Sequence, residues 1–250
     1  MTEPLAVFSG VSKSYGAVRA VEDVNFSINP GEVVAIVGDN GAGKSTLVKI
    51  MAGTIAPDTA DITFEGRSAR LDKPTDAVAL GIATVYQDLA LCNNLDVVAN
   101  LFLGRELNHG SVIDEFTMER ETKDLLAQLA ISPPSLRAPI STMSGGQRQS
   151  VAIARCLLGD PKMIILDEPT AALGLRQKKQ VVDLIKRLRD RGLAVVLISH
   201  NLAEVFEVAD RIEVLYLGRN AASLPGDIAY QDEVVAAITG ARLLTTMEQS

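Results

Sequence analysis

The sequence predicts an α/β fold built on a mixed, mainly parallel sheet, with an N-terminal antiparallel β subdomain and a helical subdomain beside it. Three observations predict it. Strand-like and helix-like segments alternate through the last hundred or so residues, the pattern of a parallel sheet wrapped by helices. A glycine-rich turn, Gly38 to Gly43, joins a β-branched run to a segment with helical spacing. Near the start, two β-branched runs are separated by a short turn containing Asn29-Pro30-Gly31.

In chain order, Val7–Val11, Val24–Ile28 and Val33–Val37 read as strands. Lys44–Ala52 follows as a helix, carrying Leu47, Ile50 and Met51 on one side. Ile62–Phe64 is a further strand with Gly66 in the turn after it. Pro74 opens a short helix, because proline is tolerated in a first turn, and Ile82–Val85 is a buried strand. Leu95 to Leu129 reads as helical, with Met118, Leu125, Leu126 and Leu129 on one face near its end. Three prolines in Ser132–Pro139 interrupt it. Helix Gly145–Leu158 then leads to strand Met163–Leu166, helix Arg176–Arg191 to strand Ala194–Ser199, and helix Leu202–Ala209 to strand Ile212–Leu217. The expectation is one domain over 1–250, its helical subdomain at about 90–158. A short C-terminal extension at about 219–250 holds one helix, Gln231–Thr239, and a frayed polar tail.

A chain of 250 residues buries a sizeable core without staples. Aromatics are only 4% and tryptophan is absent, so that core is Val, Ile, Leu and Ala. The formal net charge of −7 speaks against nucleic acid as partner, since that affinity comes from clustered Lys and Arg neutralising phosphates. Cys92 and Cys156 are too far apart for a metal knuckle and too few for a disulfide framework, so they are expected as reduced thiols. Met1–Gly10 lacks the apolar run of a signal peptide. No stretch reaches the roughly 18 apolar residues that cross a bilayer. The expectation is therefore a soluble, cytoplasmic chain that meets a membrane only through a partner.

Gly38-Asp39-Asn40-Gly41-Ala42-Gly43-Lys44-Ser45 fits G-x-x-x-x-G-K-[ST], and it lies between a strand and a helix as that motif requires. Backbone N–H groups of the loop and of the helix start bind phosphate oxygens. Lys44 adds a positive charge for β- and γ-phosphates, Ser45 a hydroxyl ligand for Mg2+, and Thr46 belongs to the same phosphate site. The expected ligands are ATP and Mg2+. Met163-Ile164-Ile165-Leu166-Asp167-Glu168 is an apolar strand ending in two carboxylates, unusual because unpaired buried charge is costly. Asp167 is assigned to Mg2+, and Glu168 to orienting and deprotonating the attacking water.

These two motifs would suit many NTPases. Met143-Ser144-Gly145-Gly146-Gln147, with Ser144 lying 23 residues before Asp167, narrows the field: the sequence resembles the ABC ATPase superfamily of P-loop NTPases, whose signature reads L-S-G-G-Q, with Met143 in place of Leu. Ser144 is a good N-cap, and the glycines let a phosphate approach the helix end. The resemblance covers roughly Leu5 to Leu217. It implies an ABC-type nucleotide-binding domain whose signature, Ser144 to Gln147, closes over ATP held by a partner's phosphate loop. It further implies that Tyr15 stacks on adenine, that Gln87 contacts metal and water and senses the membrane partner, and that His200 touches the γ-phosphate. One departure stands out. Where the family has Ala-Leu-Asp, this chain has Ala172-Leu173-Gly174, which puts communication between the two sites of a dimer in doubt.

Tyr86-Gln87-Asp88-Leu89-Ala90-Leu91, Asn100–Glu106 and Glu204–Gly218 look like the ribose-, xylose- and fructose-type bacterial sugar importers. That likeness implies a homodimer on transmembrane permease subunits, served by an extracytoplasmic solute-binding protein, at the cytoplasmic face of the inner membrane. An exporter ATPase, another importer class and a non-transport ABC protein are the alternatives.

Overall fold

The computed structural model describes residues 3–171 and 173–241. The chain opens with β1 (Ala6–Tyr15) and β2 (Val18–Ile28), an antiparallel pair turning at Gly16. Next, β3 (Val33–Val37) runs through the glycine-rich turn into α1 (Lys44–Met51). The strands β4 (Thr59–Phe64) and β5 (Arg67–Ala69) precede α2 (Pro74–Ala79) and β6 (Ile82–Val85). The helical side comprises α3 (Val97–Phe102), a hairpin of β7 (Asn108–His109) and β8 (Val112–Ile113), α4 (Glu115–Gln128) and α5 (Gly145–Leu157). Then α5 leads to β9 (Met163–Asp167), α6 (Leu175–Asp190) to β10 (Ala194–Ile198), and α7 (Leu202–Val208) to β11 (Arg211–Tyr216). The described part closes with β12 (Arg219–Pro225) and α8 (Gln231–Ile238).

Two sheets result. The N-terminal one is antiparallel, in the order β2-β1-β4-β5. The larger has the order β12-β11-β3-β10-β9-β6 and is parallel except at its β12 edge. β3 and β10 are buried along their whole length and β9 up to Leu166, which is why they read as unbroken apolar runs rather than alternating ones. Phe8 and Phe26 face each other across β1 and β2 with ring centroids 6.1 Å apart. They lie in a core that continues through Leu47, Ile50 and Met51 of α1 to β9 and β10. On the other face, Val97, Leu101, Met118 and Leu126 share one core with Val151 and Ile153 of α5 and with Ile164, Leu166 and Val181. Thus α5 ties the helical side to the sheet. Cys92 and Cys156 are both free, as their spacing predicts.

The continuous helix expected from Leu95 to Leu129 does not form. Gly104 and Gly110 adopt left-handed φ values of 77° and 65°, and the chain between α3 and α4 folds into the β7–β8 hairpin instead. The turn residues Asn108, His109 and Gly110 outweigh the scattered apolar spacing there. The C-terminal extension holds more than a helix, because Arg219–Pro225 extends the main sheet by pairing with β11. β5 was likewise not expected; it pairs with β4 through the turn at Gly66. The polar tail lies largely outside the described residues. Among the described residues no helix is long and apolar enough to cross a membrane.

Candidate active site

Because β3, β10, β9 and β6 run parallel and side by side, their carboxyl ends share one edge of the sheet. In register, Ile36 lies beside Ile198, Ile198 beside Asp167, and Leu166 beside Val85. Four loops therefore open on that edge: Gly38–Gly43, the turn at Ser199-His200, the turn after Glu168, and Tyr86-Gln87. Such an edge is where open α/β sheets take ligands.

The phosphate loop is shaped by its glycines. Gly43 sits at φ 98°, and a Cβ there would come within 2.5 Å of the Ala20 carbonyl, so only glycine lets the loop lie against β2. The same contact brings the loop beside the hairpin that carries Tyr15, which ends β1 and is 47% exposed. Gly43 caps α1 without any side-chain hydrogen bond, leaving the first backbone N–H groups for an anion. The Lys44 ammonium donates to the carbonyls of Gly38 (2.7 Å) and Asp39 (3.0 Å), which fixes it at the mouth of the loop. Burial pulls its pKa below the ordinary lysine value, opposed by the negative charges of Glu168, Asp39 and Asp167. Asp39 also accepts from the backbone of Asn40. Ser45 is exposed, Thr46 half-buried, and Ala42 buried.

At the end of β9, burial raises the Asp167 carboxyl above its ordinary range, the adjacent Glu168 raises it further, and Lys44 and Lys49 oppose both. Glu168 takes a left-handed φ of 50°, a conformation costing a non-glycine residue about 1–3 kcal/mol. The loop pins it there: its N–H donates to the Ile198 carbonyl at 3.0 Å, and its own carbonyl accepts from Ala171 at 3.1 Å. In that pose its carboxylate, 16% exposed, lies 2.8 Å from His200 Nδ1, while the histidine is 73% exposed. The structure thus brings together Lys44, Asp167, Glu168 and His200. Gln87 lies exposed just past β6, at the same edge.

The donor set fits a nucleotide and a hard cation. The loop offers backbone amides and a lysine to phosphates. Near the loop the candidate metal donors are the Ser45 hydroxyl, the Asp167 carboxylate and the Gln87 amide. Among the described residues no three His, Cys, Asp or Glu cluster as a complete metal site.

The signature segment forms a capping box. Ser144 Oγ accepts from the Gln147 N–H at 3.3 Å, and Gln147 Oε1 accepts from the Ser144 N–H at 2.9 Å. Its glycines also serve packing. A Cβ on Gly146 would lie 2.9 Å from Gln177 Cβ, and one on Gly145 would lie 2.8 Å from Leu173 Cδ2. The start of α5 is therefore pressed against the start of α6. There Gly174, at φ −72° with open space around its Cβ position, could carry a side chain without strain. Gln177 accepts from its N–H at 3.2 Å instead. Ala172 lies outside the described residues.

Several residues were missed in the sequence because their partners are distant along the chain. Asn100, fully buried in α3, accepts from the Cys92 N–H and donates to the carbonyls of Cys92, Leu95 and Asp96, which holds the segment after Gln87. Arg155 of α5 donates to the carbonyls of Ala90 (2.7 Å) and Leu89 (3.1 Å) in the same segment. Glu204 is a buried acid on an otherwise apolar helix face. A polar residue inside an apolar run was the available signal for Asn100 and Glu204.

Comparison with known proteins places this arrangement. The family model for the ABC transporter matches residues 21–171. The chain is 47% identical over 209 residues to the xylose/arabinose import ATP-binding protein of Sulfolobus acidocaldarius, covering 84% of this chain and 83% of that one. It is 42% identical over 249 residues to the fructose import ATP-binding protein of Rhizobium meliloti, covering 96% and 95%. A dimeric ATP-binding cassette solved in a post-hydrolysis state with ADP and inorganic phosphate superposes with a TM-score of 0.74 at 26% identity, over 88% of this chain and 98% of that one. From its glycine loop to the paired Glu168 and His200, the chain belongs to the ABC transporter family, as one of its ATP-binding, ATP-hydrolysing cassettes.

Proposed function

We propose that the chain is the ATP-binding subunit of a monosaccharide importer, acting as a homodimer in which each ATP lies between one phosphate loop and the other copy's signature. The observation that carries the hydrolytic part is the Glu168–His200 pair beside Lys44. The import assignment rests on relatives named as xylose/arabinose and fructose import proteins. The dimer is supported by the related cassette solved as one.

In this reading Lys44 and the α1 amides bind the β- and γ-phosphates, and Tyr15 stacks on the adenine. Glu168 accepts the proton of the attacking water. His200, whose Nδ1 lies 2.8 Å from Glu168, turns its Nε2 to a phosphate oxygen. Ser45, Asp167 and Gln87 would hold Mg2+, which neutralises charge developing on the phosphates. Ser144, Gly145, Gly146 and Gln147 complete the site of the second copy.

The transmembrane permease subunits dock beside Gln87. A cavity of about 370 Å³ there is lined by Val78, Tyr86, Leu103, Arg105 and Cys156, and Val78, Tyr86 and Leu103 expose apolar surface. An extracytoplasmic solute-binding protein delivers the sugar, and the cassette sits peripherally on the cytoplasmic face of the membrane.

The test is phosphate release by wild type and Glu168→Gln, with association followed by light scattering under ATP. Turnover should fall by about 100-fold or more, and the variant should form an ATP-stabilised dimer. Undiminished turnover would remove Glu168 as the base. Lost turnover with a monomer at saturating ATP would remove the composite site.

A further inference from the structure

Glu204 of α7 is 8% exposed, yet each of its carboxylate oxygens is paired. Oε1 accepts from Lys178 Nζ of α6 at 2.7 Å and from Asn201 Nδ2 at 2.6 Å, and Oε2 accepts from the Thr170 hydroxyl. Thr170, itself buried, lies two residues past Glu168, and Asn201 directly follows His200. The turns leaving β9 and β10 are therefore joined twice. At the tips Glu168 meets His200 at 2.8 Å, a contact open to water on the histidine side. Behind it, shielded from water, Glu204 holds Thr170 and Asn201 together. A pair with one partner open to water contributes little energy by itself, whereas a fully hydrogen-bonded buried carboxylate enforces one geometry. Packing alone does not call for an acid here, because Val205 and Val208 of the same helix are buried as plain apolar residues. Lys178 extends the tie to α6, adjacent to Gln177 on which Gly146 packs.

We propose that Glu204 is a positioning residue for ATP hydrolysis: it clamps the turn after Glu168 to the turn after His200, so that the base and the histidine meet. The proposal rests on the reading of Glu168 as the base.

The experiment uses the full chain as wild type, Glu204→Gln, Thr170→Val, the double variant and Glu168→Gln. It records kcat and KM for ATP, the affinity for a fluorescent N-methylanthraniloyl ATP, and Tm. A displacement of the order of 1 Å can cost about 100-fold in rate. Glu204→Gln and Thr170→Val should each lower kcat by about 10- to 100-fold, with KM and analogue affinity within about twofold of wild type. The double variant should be no slower than the slower single one, since both break one clamp. If Glu204→Gln lowers Tm sharply, Thr170→Val carries the test, because it removes a hydroxyl and keeps the shape. Wild-type kcat in Thr170→Val and Glu204→Gln, with Glu168→Gln inactive, would overturn the clamp and leave the base intact. So would losses of kcat matched by losses of affinity, or effects that multiply in the double variant. Turnover retained in Glu168→Gln would overturn the base assignment, and the clamp with it.

Discussion

Replacing Asn100 by Asp should destabilise the protein more than replacing it by Leu, although Asp is the closer match in shape. Asn100 is fully buried, its Oδ1 accepting from the Cys92 N–H at 2.8 Å and its amide donating to the carbonyls of Cys92, Leu95 and Asp96 at 2.9–3.2 Å. Leu removes all four bonds, but the three carbonyls keep other donors. Leu95 N–H bonds to Cys92, Ile140 N–H to Leu95, and Asn100 N–H to Asp96. Only the Cys92 N–H loses its partner, so the cost is about 1–3 kcal/mol. At this chain length that lowers Tm by about 2–4 °C per kcal/mol. Asp keeps the bond to Cys92 but sets an anionic oxygen against three carbonyls, and an uncompensated buried charge costs about 3–5 kcal/mol. The sign of the pH effect separates the two variants. Burial raises the folded pKa of an acid at this position, so the Asp variant is least penalised at acid pH and loses stability as pH rises through that value. The Leu deficit should not depend on pH. Urea unfolding followed by circular dichroism at pH 7.5 and pH 5 reads both. An Asp variant as stable as the Leu variant, or one with a pH-independent deficit, would refute the hydrogen-bond assignment.

Two other substitutions probe the site itself. Asp167→Asn should abolish ATP hydrolysis yet raise the Tm of the nucleotide-free protein at pH 7, because burial and Glu168 hold the Asp167 carboxyl above its ordinary range. Folding then binds protons, so this group favours the folded state below its unfolded value of about 3.9 and loses that contribution as pH rises. The gain over wild type should accordingly shrink as pH is lowered, and an unchanged or lower Tm at pH 7 would contradict it. Gly146→Ala should cost about 1–3 kcal/mol by overpacking against the Cα, Cβ and Cγ of Gln177. Gly145→Ala should cost less, because the atom it meets is the end of the Leu173 side chain. The reverse order in urea unfolding would mean that α5 does not lie against α6 in this way.

The parts of the site legible in the sequence are those whose geometry is written in consecutive residues. Gly43-Lys44-Ser45 determines a left-handed turn and a helix start within one loop. Ser144 and Gln147 close their capping box over three residues. The apolar run Met163–Leu166 determines a buried strand and delivers Asp167 and Glu168 to its end. Between Leu95 and Leu129 the helical reading held at both ends, over Val97–Phe102 and Glu115–Gln128, and failed only between them, where Gly104 and Gly110 break the backbone.

By itself, then, the sequence determined the α/β class, the order of strands and helices around the glycine loop, and which side chains stand at the strand ends. Only the tertiary structure decided that His200 reaches Glu168, that the glycines of α5 make room for α6, and that Asn100, Arg155 and Glu204 secure the loops behind the site. The reason is physical. A turn or a cap is settled by backbone conformation and by bonds between near neighbours. A contact between the ends of β9 and β10 depends on strand register, and the partners of a buried polar side chain depend on which elements pack around it. Both arise from the apolar core as a whole rather than from any local run of residues.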